Sequence, residues 1–143
     1  MKTRTRLTLL ASLTAATAFA SFADDAAKLE GKWTTKKTGP DGNAYTQTIE
    51  IKKGKFQFRV FRGSDELAIY AEGSVKLETS GPFHVAHFTD IKAGGSESDT
   101  NPIDDDRTSV YVGGDDSWTL AQNFDKERSN EKAETTIYTR AKK

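Results

Sequence analysis

Beyond residue 23 this chain is cut into short pieces by glycine, proline and aspartate, and between the cuts apolar and polar residues alternate. Alternation with period two puts every second side chain on one face of an extended strand, whereas a helix needs a period near 3.6. Tyr45, Gln47, Ile49 and Ile51 fall on one face, and Thr46, Thr48, Glu50 and Lys52 on the other. After Lys53-Gly54, the residues Phe56, Phe58 and Val60 share a face against Lys55, Gln57 and Arg59. Segment 45–60 therefore reads as a hairpin with one wet side. Leu67, Ile69, Ala71 and Val75 make a third apolar face, with Gly73 at an expected bulge or bend.

Turn signals bound the remaining strands. They are Thr38-Gly39-Pro40-Asp41-Gly42-Asn43, Arg62-Gly63-Ser64-Asp65, Ser80-Gly81-Pro82 and Gly113-Gly114-Asp115-Asp116. Strands are expected over 83–91, 107–112, 117–124 and 135–140, the last rich in Thr, Ile and Tyr. Segment 92–106 reads as one long polar loop, and 125–132 as a charged loop with room for a helical turn. The total is about eight strands at even spacing, which suits an up-and-down barrel or a sandwich. A barrel closes its own edges, an advantage for a small domain without a single cysteine. The expected fold is all-β, a small antiparallel up-and-down barrel.

The first residues carry a different pattern. Lys2, Arg4 and Arg6 precede an apolar run over 7–20, and Ala18-Phe19-Ala20 and Ser21-Phe22-Ala23 are small-x-small sites. This is the pattern of a secretory signal peptide over 1–23, with cleavage after Ala20 or Ala23 and the domain at 24–143. No cysteine follows the sites, which argues against a lipoprotein anchor, and no second apolar run is long enough to span a membrane. A secreted or periplasmic product is expected. The chain has 21 basic and 21 acidic side chains, and three of the basic ones precede residue 23, so the domain carries 18 against 21, or −3. Without a basic excess, nucleic acid and anionic membranes are poor partners. The lack of cysteine removes zinc ribbons, haem attachment and thiol catalysis.

Lys28-Leu29-Glu30-Gly31-Lys32-Trp33 stands just inside the expected mature N-terminus, and Tyr138-Thr139-Arg140 lies near the far end. Gly31-x-Trp33 on a first strand, about eight antiparallel strands, and an arginine on the last strand together resemble the lipocalin and calycin superfamily. More narrowly, the chain resembles small secreted bacterial lipocalin-like domains of unassigned function. The resemblance implies that Trp33 plugs one end of the barrel and that Arg140 packs over it, giving Gly31, Trp33 and Arg140 structural roles. A guanidinium over an indole contributes on the order of 0.5–2 kcal/mol. Lipocalins are usually longer and carry a flanking helix, for which this chain leaves little room.

Residues able to carry chemistry are few. His84 and His87, three apart on a strand, point to opposite faces and cannot chelate one metal from a regular strand. Neither a Gly-x-Ser-x-Gly elbow nor a His-Glu-x-x-His motif is present. Asp99, Asn101, Asp104, Asp105 and Asp106 concentrate oxygen ligands in one segment, with Asp115 and Asp116 as candidate neighbours. Their spacing fails the calcium loop pattern, so a solvated loop is the simpler reading. With no nucleophile beside a base, no metal cluster and no phosphate loop, a non-enzyme without cofactor is expected.

Two functional readings follow. The first is a secreted binding protein holding a small apolar or amphipathic molecule in the barrel. By strand face, Ile51, Phe58, Ile69, Val85, Tyr111 and Trp118 would line its site. The second is a protein-interaction or inhibitor module with a filled core, acting through loops such as 92–106.

Overall fold

The computed structural model describes residues 27–142. The expected signal peptide and its cleavage sites lie outside the described residues. A short helical turn over 27–29 leads into β1 (Gly31–Thr38), β2 (Ala44–Lys52), β3 (Lys55–Arg62) and β4 (Glu66–Ser80). The chain continues through β5 (Phe83–Ser96), β6 (Asp99–Pro102), β7 (Arg107–Gly113), β8 (Ser117–Gln122) and β9 (Glu134–Arg140). Every pairing is antiparallel, β4 pairs with β5, and β9 returns to β1.

β6 and β7 are two halves of one wall strand. β6 runs against Lys92, Ala93, Gly94 and Ser96 of β5, and β7 against its residues 84–88. Between them the Ile103 amide donates to the Ile91 carbonyl at 2.9 Å. The wall therefore counts eight strands, an up-and-down barrel closed on itself. No helix among the described residues is long and apolar enough to cross a membrane.

Segment 92–106 is a correction to the sequence reading: it is mostly ladder, and only the turn 97–98 and residues 103–106 depart from the sheet. Gly94 makes this possible, because a Cβ there would run into the Asp99 carbonyl of the returning strand. The polar composition reflects a wall strand wet on its outer side, not a loop. Likewise 125–132 holds no helical turn; its one regular feature is a bridge between Arg128 and Glu131. At Gly73 the β4–β5 register does shift, between Glu72 and Ser74.

The barrel has two unlike ends. At one, the turns 52–55, 80–83 and 113–117 gather around residues 27–31; at the other lie 38–44, 62–66 and the long connection 122–134. The core is a continuous cluster that includes Leu29, Trp33, Ile51, Phe56, Phe88, Tyr111, Trp118 and Tyr138. Trp118 touches three rings, with centroids 6.1 Å from Trp33, 6.3 Å from Tyr111 and 5.7 Å from Tyr138. Phe56 meets Phe88 edge-on at 5.0 Å. Burying each such side chain contributes roughly 1.5–3 kcal/mol, and offset rings add to that.

Trp33 closes the first end. Its Nε1 donates to the Leu29 carbonyl at 2.9 Å, which folds the entering chain over the barrel mouth. The Arg140 guanidinium lies 4.2 Å from the Trp33 ring centroid. It donates to the carbonyls of Lys28, Glu30 and Asp115 at 2.8–2.9 Å. Gly31 makes room for it: φ is +121°, and a Cβ at this position would stand 2.7 Å from an Arg140 nitrogen. Gly31→Ala therefore combines backbone strain with a clash and should cost about 1–3 kcal/mol. Arg140→Lys removes the planar stack and most of the carbonyl bonds, at about 1–2 kcal/mol. Urea unfolding should show lowered midpoints at unchanged slope for both; wild-type midpoints would refute this account of the plug.

Candidate functional site

The six side chains expected to line a cavity do not surround one space. Ile51, Tyr111 and Trp118 are buried within the aromatic core, and Phe58 packs against its edge. Ile69 is 48% exposed. Val85 is buried yet stands outside the core cluster, because Ala86 and Phe88 set the inward phase of β5 and leave Val85 on the outer face. Rings of Trp33, Trp118, Tyr111 and Tyr138 occupy the plugged half of the lumen. One polar atom sits awkwardly there: Trp118 Nε1 is buried without an acceptor among the described residues.

The other half of the lumen is polar. Lys37 and Glu134 pair at 2.8 Å, Gln122 donates to the same Glu134 oxygen at 2.9 Å, and the Tyr138 hydroxyl donates to Gln47 at 3.3 Å. Burial pushes the Glu134 carboxyl upward, but the bonds from Lys37 and Gln122 outweigh it and hold the group below its ordinary range.

Depressions of the described surface lie at the plugged end and in the long connection. A recess of about 90 Å³ at the plugged end is lined by Lys28, Leu29, His84, Tyr111, Val112 and Gly113. That is well below the roughly 300–1,000 Å³ of a small-molecule pocket. A broad concavity of about 860 Å³ lies in connection 123–133, bordered by Phe124, Lys126, Arg128, Glu131 and Lys132 among others.

Beside this concavity stands an ion cluster that sequence reasoning missed. Asp105 accepts from Arg107 at 2.6 Å, Lys126 at 2.8 Å and Arg128 at 3.0 Å. Arg128 also bonds Asp125 at 2.7 Å, and Arg107 bonds Glu131 at 2.6 Å. Burial raises the Asp105 carboxyl, but the three cations hold it far below the ordinary range. Asp125 follows the same pattern through Arg128. Asp105 of the acidic run thus turns to the chain's own cations, which fasten 123–133 to the wall. Asp115 lies in the β7–β8 turn at the plugged end, beside Arg140 and away from Asp105, which corrects the expected acidic neighbourhood. No group of three or more metal-ligating side chains occurs among the described residues.

The two histidines diverge. His84 rests against the Tyr111 ring at 5.5 Å. His87 bridges Glu78 at 2.7 Å and Thr108 at 3.1 Å across the outer face. The bond from His87 lowers the Glu78 carboxyl from its ordinary value. A carboxylate–imidazole–hydroxyl chain invites comparison with a hydrolytic triad. Here, however, the Thr108 amide is given to Asp125 at 2.9 Å, and neighbouring amides belong to the sheet, so no oxyanion pocket adjoins it among the described residues.

The outer wall divides by charge. On β1–β4 it presents Lys32, Lys36, Glu50, Gln57, Arg59 and Glu72; Tyr70 lies buried beneath Arg59, its hydroxyl pushed up to about 12 by burial and by its bond to Glu72. On β5 and β7–β9 the outward rows are Phe83, Val112, Thr119, Ile137 and then Val85, Val110, Ala121, Thr135, without a charge. Phe83, Val112 and Ile137 are 57%, 71% and 60% exposed. Together they offer on the order of 300 Å² of apolar surface, a size at which the largest patch of a small protein is often functional.

The depressed carboxyls fix the sign of the pH response. A group whose folded value lies below its unfolded one stabilises the fold above the unfolded value and loses that contribution as pH falls. Asp105 and Asp125 start from 3.8 and Glu134 from 4.5. Stability should therefore hold between pH 7 and about 5 and fall below it. Asp105→Asn, which takes the ion pair from Lys126 and one of two from Arg107 and Arg128, should be less stable at pH 7 and lose less on acidification. Urea midpoints at pH 7, 5 and 3 test this; an equal acid loss in both proteins would remove Asp105 from the account. Comparison of the chain with family models, curated proteins and solved structures returns no match.

Proposed function

We propose that this protein is a secreted, non-enzymatic interaction module, a rigid barrel that engages a protein partner with its outer surface. The observation that carries this reading is the pairing of a filled aromatic core with the uncharged outer rows around Phe83, Val112 and Ile137. A barrel whose plugged half is occupied by its own rings keeps its shape whatever binds outside, and exposed apolar groups on a rigid frame suit a partner surface. The Gly31, Trp33 and Arg140 arrangement supports the resemblance to lipocalin-like domains, and the basic, apolar leader supports export to the periplasm or beyond.

The alternative, a small apolar or amphipathic ligand in the lumen, has one observation in its favour. Trp118 Nε1 is a buried donor without an acceptor, a state costing about 1–3 kcal/mol, and a ligand oxygen beside it would satisfy it. Such a guest would have to displace rings that now touch.

The test is affinity capture from the exported fraction with wild type and with the triple variant Phe83→Ser, Val112→Thr, Ile137→Thr. A protein species held by wild type and lost by the folded triple variant is expected. A small molecule co-purifying at one per chain, seen in the native mass spectrum and indifferent to the triple variant, would overturn the reading in favour of the lumen.

A further inference from the structure

The barrel wall is fastened unevenly. β1 meets β2 over eight residue pairs, and β9 meets β8 over six. The closing ladder between β1 and β9 holds two, Trp33 with Arg140 and Thr34 with Thr139, and the Ala141 amide adds a bond to Lys32 O at 2.8 Å. Beyond Thr34 and Thr139 the two strands run on for four and five residues without pairing to each other.

Backbone alternation identifies which groups face this seam. The Ala141 amide points to β1 and the Arg140 amide to β8, where it meets Asp116 O at 3.0 Å. Strand residues turn their N–H and C=O to one neighbour in alternation. Thr135 and Ile137 on β9, and Lys36 and Thr38 on β1, therefore turn theirs into the seam with no strand partner there among the described residues. Two side-chain bonds span the opening from the lumen side: Lys37 to Glu134, and Tyr138 to Gln47 of β2. On the outside Ile137, Lys36, Thr38 and Thr135 are all exposed. The apolar row from Phe83 through Val112 and Thr119 ends at Ile137, on the lip of the seam.

We propose that the seam between β1 and β9 receives an extended segment of a protein partner, which adds as a strand to the free edge of β9. The occupant follows from the chemistry. A row of amide donors and carbonyl acceptors repeating every two residues is matched by another extended polypeptide, and strand addition to open edges is an established mode of peptide recognition. Closed barrels lack such an edge, and here the short ladder restores one. The segment would carry a β-branched or aliphatic side chain against Ile137. This rests on the exterior-binding reading and names its site.

Amide exchange followed by NMR comes first. The Thr135 and Ile137 amides should exchange roughly 100-fold faster than those of Thr136 and Tyr138, which face β8; equal protection would overturn the proposal. The strand probe is a labelled, capped peptide copying residues 31–38 with Lys36→Val, because the β1–β9 register sets position 36 against Ile137. Ile137→Pro removes a seam-facing N–H while sparing the β8 ladder. It should keep the fold and weaken the peptide at least tenfold. A peptide N-methylated on the edge facing β9 should weaken as much on unaltered protein, which decides the matter should the proline variant fail to fold. No binding up to millimolar peptide, or equal binding by either control, overturns the seam. Ile137→Thr keeps the N–H, so capture that survives Ile137→Pro and fails in the triple variant above would refute the seam and leave exterior binding standing.

Discussion

The guanidinium of Arg140 over the ring of Trp33 is the fastening on which the barrel depends. A closed sheet must join its first strand to its last, and this one does so with two residue pairs. Such a ladder is too short to hold a seam alone. Arg140 extends it sideways, binding the carbonyls of Lys28 and Glu30 in the entering chain and of Asp115 in the β7–β8 turn. One side chain thereby joins three segments far apart in sequence, and the indole beneath it is desolvated, which strengthens the contact. Gly31 is the condition for all of this, since any Cβ would meet the guanidinium.

The same concentration of strength at one end explains the character of the other. Aromatic packing and the Arg140 clasp lie together, so the far half of the lumen is held by polar contacts among Lys37, Glu134, Gln122, Gln47 and Tyr138. Glu134 is 41% exposed at its side chain, and a pair of this kind contributes little in water. The 123–133 connection is pinned differently, by Asp105 with Arg107, Lys126 and Arg128. That cluster holds the loop to β7 and does nothing for the β1–β9 seam.

Legibility in the sequence followed the range of the interaction. Period-two alternation and turn residues are local, so the hairpins around Lys53-Gly54 and Gly113-Gly114, and the all-β barrel they build, could be read directly. Segment 92–106 was misread because its strand character comes from pairing with β4 and β5, and Gly94, which reads locally as a loop residue, serves close backbone approach. Val85 was assigned to the wrong face because alternation gives a period and no phase; the phase comes from Ala86 and Phe88 meeting partners across the barrel. The Asp105 cluster joins residues some twenty positions apart, and no spacing rule announces it. Asp104, Asp105 and Asp106 look alike in sequence, yet Asp105 alone gathers three cations.

What remains is the relation between a filled core and an open seam. Folding a small domain without disulfides requires apolar burial, and the rings that supply it occupy the plugged half of the lumen, the space in which a ligand-binding barrel would hold its guest. On the proposed reading, binding chemistry is then left to the wall. A wall of complete ladders offers side chains alone, whereas a wall with one short ladder also offers main chain. Ile137 joins the two, exposed at the end of an uncharged row and seated on the edge whose backbone groups lack a strand partner. Edges of this kind are usually masked by charge or proline, because they pair indiscriminately. Here Lys36 guards one lip and an exposed isoleucine stands on the other, the lip to which the proposed strand would add.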